Sequence, residues 1–407
     1  MSQFDASSFA SRLRQLRASR GLSLRALAGV SYYAKSYIHE LETGRKQPTH
    51  QVAQRIDDAL DAGGELVAMV DVRPEGVRRR SLVAAAGIAA ALPRALLDGG
   101  PKLGSSVPRQ LLDRTARLRR VDDYLGGIDT YSMYVSELDS TLRLVKECSY
   151  SEVTGRDLLA VVSEQAQMAG WAAFDAGRHG EADRLYRLSL DAAHDGASAA
   201  LAANAMAFQA YGATGKKATE LAIAACEIAD KEATPRVRTL LHTRKAWALA
   251  VAGDVGETET HLNIGAAALT EQDDRPEPDW VYWVDETEVE IMTGRCWAIL
   301  RRPVRAIPAL ELALSVYDDT HGRDKSLYLL WLADAYIDAN EIEQACEAVS
   351  RAMKLSVGVG SVRPGSRLQA VLDRLAIEPL LPCVADVMAE ATEFIHHRQT
   401  CVATPDR

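Results

Sequence analysis

No apolar run in the sequence reaches the roughly 18 residues needed to cross a bilayer, so an integral membrane protein is not expected. The opening stretch MSQFDASSFASRLRQ has no apolar leader, which argues against export. Cysteine is sparse: Cys148, Cys226, Cys296, Cys346, Cys383 and Cys401 stand singly, without a CxxC pair or a zinc-like cluster, and are expected to be reduced thiols of a cytoplasmic protein. Catalytic signatures are missing as well, with no GxxxxGK(S/T), no GxGxxG after a strand, no GxSxG and no HExxH. His396 and His397 are neighbours in sequence and would diverge on a helix, so no metal site is expected there. Cys148 and Cys346 have no nearby histidine or basic cluster to lower a thiol pKa. No cofactor, catalytic residue or enzymatic activity is therefore expected. Alternating strand patterns are absent too.

What remains is a chain of 407 residues, 47% hydrophobic and 25% charged, the balance of a globular protein of two or three domains. Its charge is uneven. Residues 1–80 carry 13 basic and 9 acidic side chains, against 34 and 47 in residues 81–407. Within residues 12–46, eight basic side chains face only Glu40 and Glu42. A basic head attracts a polyanion, whereas an acidic body repels one.

Helical periodicity runs through almost the whole chain. Phe9, Leu13 and Leu16 share one face of a first helix that Gly21 stops. Ser23 is placed to cap a second helix through Leu24, Leu27 and Ala28. A third runs from about Ala34 to Glu42, and a fourth, after Pro48 and Thr49, carries Val52, Ile56 and Leu60 before Gly63-Gly64. The segment RRRSLVAAAGIAAALP at 78–93 superficially resembles a twin-arginine export signal. Its position behind a complete small domain favours an Ala-rich connecting helix instead. From about residue 109 the chain is helical again, with expected breaks near Gly155, Gly177, Gly196, Gly215 and Gly253 among others. The expected domains are 1–72, a linker at 73–108, a helical body at 109–379, and a cap or tail at 380–407.

The segment from Leu13 to Thr49 has the spacing of a helix-turn-helix. On its third helix Tyr37, Ile38 and Leu41 are expected to pack inward. Lys35, Ser36 and His39 then face outward, with donors suited to base edges. Arg25, Arg45 and Lys46 flank this helix as phosphate contacts, which position a domain without reading sequence. SYIHELETGRKQPT resembles a stretch that recurs in the XRE (phage-repressor-like) helix-turn-helix family. That resemblance covers about residues 8–70, and it implies base-facing roles for Lys35, Ser36 and His39 and backbone-facing roles for Arg25, Arg45 and Lys46. It also implies a structural role for Glu42. Two departures are the irregular GVSYYA turn and Glu40 where a basic residue is common.

In the body, Gly170/Ala182, Gly294/Ala306 and Ala333/Ala345 repeat a small residue followed twelve positions on by alanine. Each alanine is followed after four residues by a bulky side chain (Tyr186, Leu310, Val349) and after seven by a small one (Ser189, Ala313, Ala352). These are marks of tetratricopeptide-like repeats, the bulky residue being expected to fill the gap to the next hairpin. Segments 200–230 and 238–270 fit the frame poorly, with Glu220 and Thr258 at the alanine slot. The frame predicts a ligand groove lined by Gln167, Trp171, Gln209, Thr243, Trp247, Arg295 and Asp334, suited to a peptide or a small molecule. Trp280, Tyr282 and Trp283 belong either to the core or to the groove rim.

The expected fold is all-α, an N-terminal helix-turn-helix bundle joined by a linker helix to a right-handed α-solenoid of tetratricopeptide-like hairpins. That layout resembles actinobacterial regulators, notably through LRRVDDYLGGIDTY and GWAAFDAGRHGEA, and is similar in plan to peptide-responsive quorum-sensing regulators of Gram-positive bacteria. The resemblance implies transcriptional regulation, and a homodimer that binds double-stranded operator DNA is the expected form. The alternative is a protein–protein scaffold in which the head serves localisation or assembly.

Overall fold

A computed structural model of the chain describes residues 9–31, 33, 35–44, 46, 48, 50–60, 62–69, 102–229, 233–379 and 381–402. The chain divides into two compact units, Met1–Arg80 and Ser81–Arg407. Among the described residues every regular element is helical, and the one β-bridge joins Lys102 to Ser149. The Ala-rich stretch expected as a connecting helix at 78–93 lies outside the described residues.

The head is built from α1 (Phe9–Ser19), α2 (Leu24–Ser31), α3 (Lys35–Glu42), α4 (His50–Leu60) and α5 (Glu65–Ala68). Gly21 ends α1 at φ +66, a left-handed backbone that glycine adopts without steric cost. The Ser23 hydroxyl accepts from the Ala26 amide at 3.1 Å and so starts α2. Leu13, Leu27, Ile38, Leu41, Ile56 and Leu60 close over one another as the core. Two polar devices fix this small bundle. Arg17 grips Glu42 in a two-toothed pair at 2.5 and 2.9 Å and also donates to the Leu22 carbonyl at 2.8 Å. Buried Asp57 accepts from the amides of Gly64 and Leu66 at 2.6 and 2.7 Å, pinning the turn into α5.

The body begins with α6 (Val107–Arg119), α7 (Gly127–Glu147), α8 (Glu152–Asp175), α9 (His179–Asp195), α10 (Ala199–Gly212) and α11 (Lys216–Ala229). It continues through α12 (Pro235–Val251), α13 (Val255–Leu269), a 3-10 turn at Asp279–Val281, α14 (Glu286–Ile299) and α15 (Pro303–Val316). It ends with α16 (Gly322–Asp338), α17 (Ile342–Ser356), α18 (Arg363–Leu375) and α19 (Pro382–Val402). Consecutive helices pack in pairs, α8 with α9, α10 with α11, α12 with α13, α14 with α15 and α16 with α17. The first helices of successive pairs also touch, α8 to α10 to α12 to α14 to α16 to α18, which is the stacking of a solenoid.

The small-residue frame explains the close pairs. A Cβ on Gly170 would stand 2.5 Å from the Tyr186 ring, and one on Gly294 would stand 2.5 Å from Leu310 Cγ. The bulky residue therefore seats on the glycine of its own hairpin and also faces the next one, Tyr186 stacking on the Phe208 ring at 5.1 Å and Leu310 sharing a core with Leu327 and Trp331. Thr258 fits the alanine slot fully buried because its hydroxyl donates to the Asp254 carbonyl at 2.5 Å. Glu220, by contrast, is exposed, and α11 packs through Ala218, Ala222, Ala225 and Ala229 instead. The break expected near Gly155 falls at residues 148–151; Gly155 itself lies in the first turn of α8, where a Cβ would stand 2.9 Å from the Tyr150 ring. Residues 382–402 form a helix packed on α17, with Val384, Val387 and Ala391 buried in its core. There Cys346 hydrogen-bonds Cys383, and burial with that bond pushes its thiol up to about 12, which makes it a poor nucleophile.

The solenoid does not stay open. The α6–α7 connection and the start of α7 tie the beginning of the body to its end. The Ile128 amide donates to the Gly360 carbonyl at 2.9 Å, and a Cβ on Gly126 would collide with that same carbonyl. Buried Asp175 accepts from the Gly127 amide and the Ser361 hydroxyl, each at 2.8 Å, while its own carbonyl accepts from the Val362 amide at 3.0 Å. Arg323 completes the clasp, donating to Asp122 at 2.9 Å and to the Leu125 carbonyl at 3.2 Å.

Candidate nucleic-acid interface and ligand cavity

Helix α3 is short, so its orientation depends on what grips its back. Ile38 and Leu41 are fully buried, and Glu42 at its end is held by Arg17. Lys35 and His39 are thereby left exposed on the other side. Arg25 is exposed on α2. Tyr37 does not pack fully inward as expected. It is half-buried, and the Lys46 ammonium lies 4.7 Å from its ring centre, which fixes that cation beside α3. The Ser36 side chain and the whole of Arg45 lie outside the described residues.

In the body a cavity of about 490 Å³ is bordered by the stacked first helices and the α6–α7 connection. Its walls come from α8, α10, α12, α14 and α16, the 3-10 turn, and residues 122 and 123 of the connection. Of the residues expected in a groove, Gln167, Trp171 and Arg295 line it. Gln167 is buried and already satisfied: its amide donates to Ser189 and to the Leu201 carbonyl at 3.0 Å each and accepts from Asn204 at 2.6 Å. Thr243 is buried with its hydroxyl bonded to the Leu240 carbonyl at 2.9 Å and does not line the cavity.

A row of rings runs along the stacked helices: Trp171 to Tyr211 at 6.1 Å, Tyr211 to Trp247 at 6.1 Å, and Trp247 to Trp331 at 5.5 Å between centres. Guanidinium groups lie on this row, Arg363 over Trp171 at 4.7 Å and Arg295 over Trp247 at 4.6 Å. Tyr211 lines the cavity where Gln209 was expected, whereas Trp247, Trp331 and Asp334 do not line it. Asp334 turns aside into an ion cluster with Arg301, Arg367 and Arg374. Trp280, Tyr282 and Trp283 all reach the cavity wall, with Trp280 and Val281 also buried in the core beneath.

Most charges facing the cavity are paired. Arg119 pairs with Glu164 at 2.6 Å, Arg244 with Glu288 at 2.9 Å, and Arg323 with Asp122 and Asp324. Asp123 accepts from the Tyr282 hydroxyl. None of these charged residues was singled out from the sequence, although Asp122 and Asp123 lie in the LRRVDDYLGGIDTY segment. Arg295 differs. It donates to the Tyr211 hydroxyl at 2.5 Å, and Arg363 approaches the same oxygen at 3.4 Å. Burial pushes the Tyr211 pKa up, but Arg295 and Arg363 outweigh it and bring it down to about 8.

Among the described residues no helix is long and apolar enough to cross a membrane, and no group of three or more His, Cys, Asp or Glu side chains is placed to hold a metal ion. No curated protein matches the chain. Residues 8–69 match a family model described as a helix-turn-helix domain, which spans α1 to α5, and the N-terminal unit is such a domain.

Proposed function

We propose that the chain is a cytoplasmic, sequence-specific DNA-binding transcription regulator, homodimeric and without enzymatic activity, whose tetratricopeptide-like body senses a ligand. The observation that carries this reading is the exposure of Lys35 and His39 on a helix whose opposite side is locked by Ile38, Leu41 and the Arg17–Glu42 pair. In that arrangement Lys35 and His39 read base edges together with Ser36, while Arg25, Arg45 and Lys46 bind phosphates. Two heads in a dimer read half-sites about one helical turn apart. A cavity of about 490 Å³ falls within the size range of small-molecule sites, which favours a small effector over a long peptide. Because its walls come from successive hairpins, a ligand that prefers one curvature of the solenoid shifts the population toward it, and with it the spacing of the heads.

A gel shift at physiological salt against DNA upstream of the protein's own gene tests this. A specific shift that unlabelled nonspecific DNA does not compete away is expected. No specific shift would favour the protein–protein scaffold.

A further inference from the structure

A guanidinium taken out of water needs a compensating charge or a full set of acceptors. Among the arginines around Tyr211, Arg244 shares Glu288 at 2.9 Å and Arg363 has Asp175 at 3.6 Å. Arg295 is only 5% exposed, and among the described residues no carboxylate lies within ion-pair distance of it. Its hydrogen bonds go to the Tyr211 hydroxyl and the Met292 sulfur, and its Nε has no acceptor, nor has Nη1 of Arg244. Arg295 is thus the guanidinium of this wall without a carboxylate of its own, beside the rings of Trp171, Phe208 and Tyr328, while the acids of the cavity are engaged elsewhere or lie beyond ion-pair distance of it.

From this juxtaposition we infer that the cavity binds a small organic monoanion, a carboxylate on a flat apolar body, with Arg295 as its charge partner. The inference deepens the ligand-sensing part of the proposed function and rests on that reading only for its regulatory consequence. A planar guanidinium fork matches a carboxylate in two-point geometry, and the rings seat the apolar remainder. A doubly charged phosphate suits the site less, because Glu288, Asp175 and Asp324 already balance the other arginines. Tyr211 is the built-in competitor. It is faced by Arg295, Arg363 and Arg244, with Asp175 behind Arg363, the Tyr186 hydroxyl nearby, and the uncharged rings of Trp171, Phe174 and Trp247 around it. Once ionised it supplies the missing negative charge itself, so a ligand anion binds best below pH 8.

The full chain is titrated calorimetrically with benzoate, phenylacetate and indole-3-acetate, each beside its neutral amide, and with inorganic phosphate. At least one acid should bind at least about tenfold more tightly than its amide, the scale of a charge-assisted pair. That preference should shrink from pH 7 to pH 9, and Tyr211→Phe should keep it level. Arg295→Gln should abolish the preference and Arg295→Lys retain part of it, with circular dichroism reporting the fold. If Arg295→Gln does not fold, the acid–amide comparison on the native protein and on Arg295→Lys decides. Amides binding as well as acids, no acid binding at millimolar concentration, phosphate binding more tightly than every acid, or a folded Arg295→Gln that keeps the preference would each overturn the inference. A gel shift with and without the bound acid separates the two readings. An acid that binds a protein showing no specific DNA shift leaves the anion site standing and removes the regulator.

Discussion

At the scale of single residues, the proposed function divides between a few exposed side chains and one buried one. If Lys35 donates to a base edge, Lys35→Ala should weaken binding to the cognate site by about 1–3 kcal/mol and leave nonspecific binding little changed. Arg45→Ala should instead weaken binding to all sequences and flatten the dependence on salt; both are read by fluorescence anisotropy over a salt series. Lys35 and His39 were legible in the sequence because a helix-turn-helix fixes which positions face outward. Tyr211 was not, since its chemistry comes from two arginines distant along the chain. Absorbance at 295 nm should show one of the 13 tyrosines ionising near pH 8, and Tyr211→Phe should remove that step. Its folded pKa lies below its unfolded value of about 10, so this group adds stability as pH rises from 8 toward 10.

At the scale of helices, the spacing of small and bulky residues announced the hairpins, because glycine under a large side chain is a local requirement that leaves a local mark. Gly294→Ala tests it. Alanine improves helix propensity by about 1 kcal/mol, but its Cβ meets buried Leu310, and overpacking costs about 1–3 kcal/mol. A net loss is expected in urea unfolding, and in a Leu310→Ala background the same change should cost nothing or stabilise. Which face of a helix turns to the cavity was harder to read. Successive residues on a helix are about 100° apart, so the two-position difference between Gln209 and Tyr211 turns a side chain about 200° away. The α10 sequence AALAANAMAFQAYG spreads alanine over every face, which erases the contrast that would have set its rotation. Asp334 was misplaced for another reason: its partners Arg367 and Arg374 come from α18, a helix later in the stack.

At the scale of the whole body, closure is what local reading misses, because Asp122 and Arg323 are 201 residues apart in sequence and Asp175 and Ser361 are 186. Asp175→Ala removes an acceptor for two buried donors and should lower stability by about 3 kcal/mol, measured by thermal unfolding. The clasp also carries a pH signature. Burial pushes Asp122 up to about 6 against the pull of Arg323, whereas in the unfolded chain it titrates near 4. An acid with a raised folded pKa costs stability as pH climbs from about 4 to about 6 and adds no slope above that. The difference in unfolding free energy between the native protein and Asp122→Asn, followed across that window, should trace this slope.

Open arrays of helical hairpins drift in length, because gaining or shedding one unit disturbs only its neighbours. Here Asp175, in the first of the stacked pairs, must meet Ser361, just past the last. One unit more or fewer would move those two side chains apart along the superhelix, so duplication and deletion, the ordinary currency of change in such arrays, are barred to this one.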